Sequence, residues 1–136
     1  MFRVMLIEDS KSDVRLVLEA LQKHNLNASI EVVADGDEAL NRIQRLQDRP
    51  SEEHPQLVLL DLNMPRVDGM EVLKGIRDSP VSARVPVVVM SSTALPGEFE
   101  TALEPGGRYF RKPVDLDDFM KLGALVKSVI ENQPGN

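Results

Sequence analysis

Leu57-Val58-Leu59-Leu60-Asp61-Leu62-Asn63-Met64-Pro65 is the stretch that decides the fold. Its first four residues are apolar without alternation, which suits a strand covered on both faces, and the run then meets an acid and a turn. Such a strand belongs in the middle of a parallel sheet. Turn-forming residues from Asn63 to Gly69 lead into Val72, Leu73 and Ile76 at helical spacing, and Ser79-Pro80 closes that helix. A strand followed by a helix is half of a βαβ unit.

The same alternation extends in both directions. Upstream, Phe2 to Ile7 reads as a first strand, followed by Val14, Val17, Leu18 and Leu21 on one helical face, with Ser10 or Ser12 as N-cap. Ser29 to Val33 reads as the second strand. Asp35 and Glu38 then have capping-box spacing ahead of the stripe Ala39, Leu40, Ile43 and Leu46. The connection Arg49-Pro50-Ser51-Glu52-Glu53-His54-Pro55 is polar, and its two prolines disfavour helix. Downstream, Pro86 to Met90 is a fourth strand. Pro96-Gly97 precedes a short fourth helix with Phe99, Ala102 and Leu103, which Pro105-Gly106-Gly107 stops ahead of a fifth strand, Arg108 to Arg111. A fifth helix spans about Leu116 to Ile130. The expected fold is α/β: a doubly wound five-stranded parallel sheet of flavodoxin-like order 2-1-3-4-5, with helices on both faces. One domain, residues 1–131, carries it, and 132–136 form a frayed tail.

Composition narrows the chemistry. The 136 residues include no cysteine, which removes disulfide frameworks and thiol nucleophiles. The net charge of −6 argues against a nucleic-acid partner, which would require a basic face. No apolar stretch approaches the roughly 18 residues of a membrane span. Without a small-residue cleavage site after the first strand, the expected location is the cytoplasm. Neither a phosphate-cradling Gly-x-x-x-x-Gly-Lys loop nor a Gly-x-Ser-x-Gly elbow is present.

In a doubly wound sheet, ligands gather beyond the carboxyl ends of the strands. Those ends carry Glu8 and Asp9, Asp61, Ser91 and Lys112. Three carboxylates brought together oppose folding unless a cation joins them, and magnesium suits an all-oxygen set that also handles phosphate. A carboxylate there can attack phosphorus. The lysine and the serine then serve phosphoryl oxygens as point charge and hydrogen-bond donor. Taken singly, the acids could be ordinary helix-start residues favoured by the macrodipole.

Taken together, Glu8-Asp9, Asp61-Leu62-Asn63-Met64-Pro65 with Asp68-Gly69, Ser91, and Lys112-Pro113 resemble the receiver domain of two-component response regulators over essentially the whole chain. The resemblance implies that Asp61 accepts phosphate from a sensor histidine kinase. Asp9, Asp61 and the backbone carbonyl of Asn63 would ligate Mg2+, with Glu8 acting mostly through water. It further implies that Ser91 and Lys112 contact the phosphoryl group, that Tyr109 is a switch aromatic coupled to Ser91, and that the bond before Pro113 is cis. The run Ser12-Asp13-Val14-Arg15-Leu16 with Glu19-Ala20-Leu21 resembles the subgroup that partners bacterial phytochromes. Ser91 stands where many members have threonine, Ser92 where alanine is common, and Pro105-Gly106 where Gly-Ala is usual.

The expected function is a stand-alone phosphoswitch, not an enzyme, with no room for an output domain. Its output is a contact: with a histidine phosphotransfer protein, or with a second copy through the fourth helix, the fifth strand and the fifth helix. The apolar breadth of Leu116, Phe119, Met120, Leu122, Leu125, Val126, Val129 and Ile130 suits such a dimer, or simply a well-buried helix. Two rivals stand beside this reading. An aspartyl-phosphate phosphatase of the haloacid-dehalogenase kind resembles Asp-x-Asp, but Asn63 occupies the second position and an amide cannot serve as acid and base. An inert interaction module would leave the acid cluster unexplained. His24 and His54 lack partners at ligand spacing and read as surface residues.

Overall fold

The computed structural model describes residues 1–65, 68–92 and 107–132. Five strands, β1 (Phe2–Ile7), β2 (Ala28–Val33), β3 (Leu57–Asp61), β4 (Val87–Ser91) and β5 (Gly107–Arg111), form one parallel sheet of order β2-β1-β3-β4-β5. The described helices are α1 (Lys11–Lys23), α2 (Gly36–Arg45), α3 (Gly69–Asp78), α4 (Leu116–Phe119) and α5 (Lys121–Glu131). The Phe99–Leu103 segment, read from sequence as a fourth helix, lies outside the described residues.

Strand alternation sends side chains to two cores. Met5, Ile7, Val58, Leu60, Val87 and Val89 pack with Ile43 of α2 and Val72, Leu73 and Ile76 of α3. On the opposite face, Val4, Leu6, Leu57, Leu59, Val88 and Met90 meet Val17 and Leu21 of α1, Phe119 of α4, and Leu122 and Val126 of α5. Every residue of β3 is buried, which is why its sequence shows no polar alternation. The caps follow local chemistry. Ser10 Oγ accepts from the Asp13 N–H, and Asp35 Oδ1 accepts from the N–H groups of Asp37 and Glu38, so α1 and α2 begin with some of their free donors engaged.

Several boundaries differ from the sequence reading. β2 begins one residue earlier, at Ala28; β4 runs Val87–Ser91 instead of Pro86 to Met90; and β5 gains Gly107. Pairing with a neighbour sets a strand's ends, and composition does not carry that information. The connection after α2 contains 3-10 turns at Leu46–Asp48 and Ser51–Glu53, because Pro50 sits at the N-cap of the second, where its missing N–H costs nothing. His54 is half-buried and not a plain surface residue. Its Nε2 lies 2.7 Å from Leu46 O and 2.9 Å from Arg49 O, tying down this connection. His24 is also half-buried, with Nδ1 3.1 Å from Ala20 O.

The expected continuous last helix is two. Met120 interrupts it, and the Gly123 N–H reaches back only three residues, to Met120 O at 3.1 Å. Of its apolar side chains, Phe119, Met120, Leu122, Val126 and Val129 are buried in the core, while Leu116 stays exposed. The Lys112–Pro113 peptide is also a correction. It is trans, as are all peptide bonds among the described residues, in keeping with the ordinary preference of X-Pro bonds.

Candidate functional site

After β1 the chain goes outward to β2 and then returns past β1 to β3, so the strand order reverses between β1 and β3. Ile7 pairs in register with Leu60, which brings Glu8 level with Asp61 at the carboxyl edge. Oxygens of Glu8, Asp9 and Asp61 come within 4.8 Å of one another there. Glu8 and Asp61 are buried, and Asp9 is exposed. A cavity of about 330 Å³, lined by Asp9, Asp35, Asp37, Met64 and Pro65, opens beside them.

Lys112 reaches this cluster from the end of β5. Its backbone N–H donates to Ser91 O at 2.8 Å, which continues the β4–β5 ladder one step past Arg111. Its ammonium lies 2.9 Å from Glu8 Oε2, 3.3 Å from Asp61 Oδ1 and 2.7 Å from Asp13 Oδ2. Burial acts to lower the ammonium's pKa, but hydrogen bonds to Asp13 and Glu8, with the field of Asp61, raise it on balance. Lys112 therefore remains charged. Glu8 moves the other way for a carboxylate: burial, reinforced by the neighbouring Asp61, lifts its pKa to about 7 despite Lys112. One ammonium does not neutralise the acids around it.

Asp61 Oδ1 accepts the backbone N–H of Asn63 at 2.9 Å. The Asn63 side chain turns toward β4, where its Oδ1 accepts the Ser92 N–H at 2.7 Å and the Ser92 hydroxyl at 3.2 Å. The loop after β3 is thereby fastened to the end of β4. Gly69 opens α3 against the same loop, and a Cβ there would fall 2.6 Å from Leu62 Cα. Ser91 is fully buried at the end of β4, one residue beyond the Asp61–Met90 pair. Tyr109 sits opposite Val89 in register, half-buried against the α2–α3 core.

The structure thus brings Glu8, Asp9, Asp61 and Lys112 into one cluster, with Asn63 and Ser91 on the adjoining loop and strand end. Tyr109 lies two positions before the end of β5. The sequence reading left out Asp13 as a site residue. It is the third residue of a helix starting just below the acid rim, so its place within reach of the rim is the only signal for it. The donor set fits a hard divalent cation: the ligand atoms are all carboxylate oxygen, and two of the three acids, Glu8 and Asp61, are buried side by side. No helix among the described residues is long and apolar enough to cross a membrane.

Residues 4–123 match the family model described as the response regulator receiver domain. The chain is 39% identical over 126 residues to "Response regulator Rcp1" of Synechocystis sp., covering 92% of this chain and 86% of that protein. Its fold superposes on the Mn(2+)-bound form of Rcp1 with a TM-score of 0.79 at 32% identity, covering 94% of this chain and 93% of the other. It is similar again to the phosphorylated cyanobacterial phytochrome response regulator RcpA, with a TM-score of 0.82 and 29% identity over 97% and 96% of the two chains.

Proposed function

Because the chain belongs to the response regulator receiver domain family of two-component signalling, we propose that it is a phosphoswitch in which Asp61 takes the phosphoryl group and Mg2+ is the working cation. The observation that carries this reading is the approach of the Lys112 ammonium to Asp61 Oδ1, 3.3 Å, inside a cluster that Glu8 and Asp9 complete. An ionised Asp61 oxygen attacks phosphorus in line, the bond from phosphorus to the donor histidine nitrogen breaks, and its electron pair leaves with the imidazole. Lys112 and the Ser91 hydroxyl hold the incoming equatorial oxygens, and Asp9, Asp61 and the backbone carbonyl of Asn63 would hold the cation, with Glu8 acting mostly through water. When bound, that cation supplies the positive charge that lets a third anion approach two buried carboxylates.

Phosphorylation then biases a two-state element. Ser91 is drawn toward the phosphoryl oxygens, Tyr109 turns inward on β5, and the outer surface formed by β5 and the last helices changes its affinity for a partner. The phosphodonor we assign is a histidine kinase of the bacterial phytochrome kind. Support comes from the likeness to Rcp1 and to RcpA, itself described as a phytochrome response regulator.

The test is transfer of labelled phosphate. Wild-type chain with magnesium should take label from acetyl phosphate and, faster, from a phosphorylated bacterial phytochrome kinase. Asp61→Asn, or chelation of the metal, should abolish both. Label retained by Asp61→Asn at the wild-type rate would sink the phosphoacceptor assignment, and equal rates from unrelated kinases would remove the phytochrome partner.

A further inference from the structure

Among the described residues Lys112 has three carboxylate partners, and one of them stands outside the metal-type cluster. Glu8 and Asp61 belong with Asp9 to the acids that converge at the strand ends. Asp13 sits instead on the first turn of α1, with its side chain 27% exposed, yet it makes the shortest of the three contacts, 2.7 Å. That contact spans 99 residues of sequence. An acid placed only to please a helix N-terminus needs no such partner, since the macrodipole and the Ser10 cap already serve that end.

The arrangement has a consequence once a divalent cation is present. Glu8 and Asp61 can each face the ammonium or the dication, and two positive groups repel if they share the same oxygens. Lys112 then loses two of its three partners. Its side chain is 10% exposed, so an ammonium left without a counter-charge there would be costly. Asp13 remains.

We propose that Asp13 is a positioning residue for Lys112: it keeps the ammonium at the rim, beside Asp61, after Glu8 and Asp61 turn to the cation. Lys112 is thereby held ready for phosphoryl oxygens and is not expelled to solvent. The inference rests on the phosphoswitch reading of this site.

A double-mutant cycle on the full chain tests it, with magnesium chloride as the probe and calorimetric titration as the readout. Asp13→Asn should weaken magnesium binding about three- to ten-fold when Lys112 is present, and distinctly less in a Lys112→Met background. Asp13→Glu should restore most of the loss. In nitrogen-15 lysine-labelled protein, the magnesium-loaded wild type should show a Lys112 ammonium signal protected from exchange, and Asp13→Asn should lack it. If Asp13→Asn does not fold, Asp13→Ser gives the same comparison.

A penalty equal or larger without Lys112 would mean that Asp13 acts only as a field charge on the metal, overturning the inference while leaving the phosphoswitch intact. A protected Lys112 signal persisting in Asp13→Asn would overturn it as well. Failure of the wild type to bind magnesium would overturn both.

Discussion

Glu8 is the residue where the energetic cost of the site is concentrated. In the metal-free protein its pKa is raised from 4.5 to about 7, chiefly by burial, so the folded chain holds a proton that the unfolded chain has already released. Stability from this group is therefore fully present below about pH 4.5 and is lost as pH rises through about 7, by on the order of 3 kcal/mol. Urea unfolding in the presence of chelator should show that decline between about pH 5 and pH 8, and Glu8→Gln should flatten it. A wild-type curve that rises over the same interval would contradict the assigned shift. Lys112 answers to the same logic from the other side. Removing its ammonium leaves Glu8, Asp13 and Asp61 facing one another, so Lys112→Met should lower metal-free stability by about 2–4 kcal/mol near neutral pH. Magnesium should recover much of that loss, because the cation takes over two of the three acids.

At the scale of elements, α1 and α5 approach so closely that position 123 admits only hydrogen. A Cβ on Gly123 would lie 2.2 Å from His24 Nδ1 and 2.3 Å from Ala20 O, and the second neighbour is backbone that cannot turn away. Gly123→Ala should cost about 1–3 kcal/mol by thermal or urea unfolding. Gly75→Ala is the contrast. Its closest neighbour is the far end of Leu40's side chain, which can rotate, and alanine favours a helix interior, so the change should stay within about 1 kcal/mol of neutral. Equal losses at the two glycines would contradict this account of the α1–α5 contact. The central strands β1, β3 and β4 were legible in sequence because both faces of the sheet are covered there and their residues form apolar runs. The break at Met120 was not, since Leu116 to Ile130 keeps helical periodicity across it; the turn tightens where the helix must pass α1 at Gly123. The 3-10 turns around Pro50 were hidden for a related reason: proline forbids a helix interior but suits the first position of a turn.

At the scale of the whole molecule, strand order places the site. The chain reverses between β1 and β3, and that reversal aligns Glu8 with Asp61, which are 53 residues apart in sequence. The strand-end residues could be read without coordinates because a doubly wound sheet gathers its carboxyl edge in one place. The Asp13–Lys112 pair could not, since it depends on how α1 tilts across that edge, and an acid in a first turn is ordinary in any helix. Net charge follows the same geography. Glu8, Asp9, Asp13 and Asp61 gather at this edge, three of them against one ammonium, so part of the −6 is concentrated where a dication would sit. Magnesium should accordingly raise the midpoint of thermal unfolding in a concentration-dependent way, and Asp9→Asn should blunt the rise. An unchanged midpoint at saturating magnesium would count against the metal-site assignment. Locating the phosphoryl group itself decides whether Asp61 is the acceptor. The chain is phosphorylated with acetyl phosphate and magnesium, the acyl phosphate is reduced with borohydride, and the peptides are mapped by mass. Homoserine is expected at position 61 with Asp9 and Asp13 unchanged; reduction at either of those residues with Asp61 intact would rule Asp61 out as the phosphoacceptor.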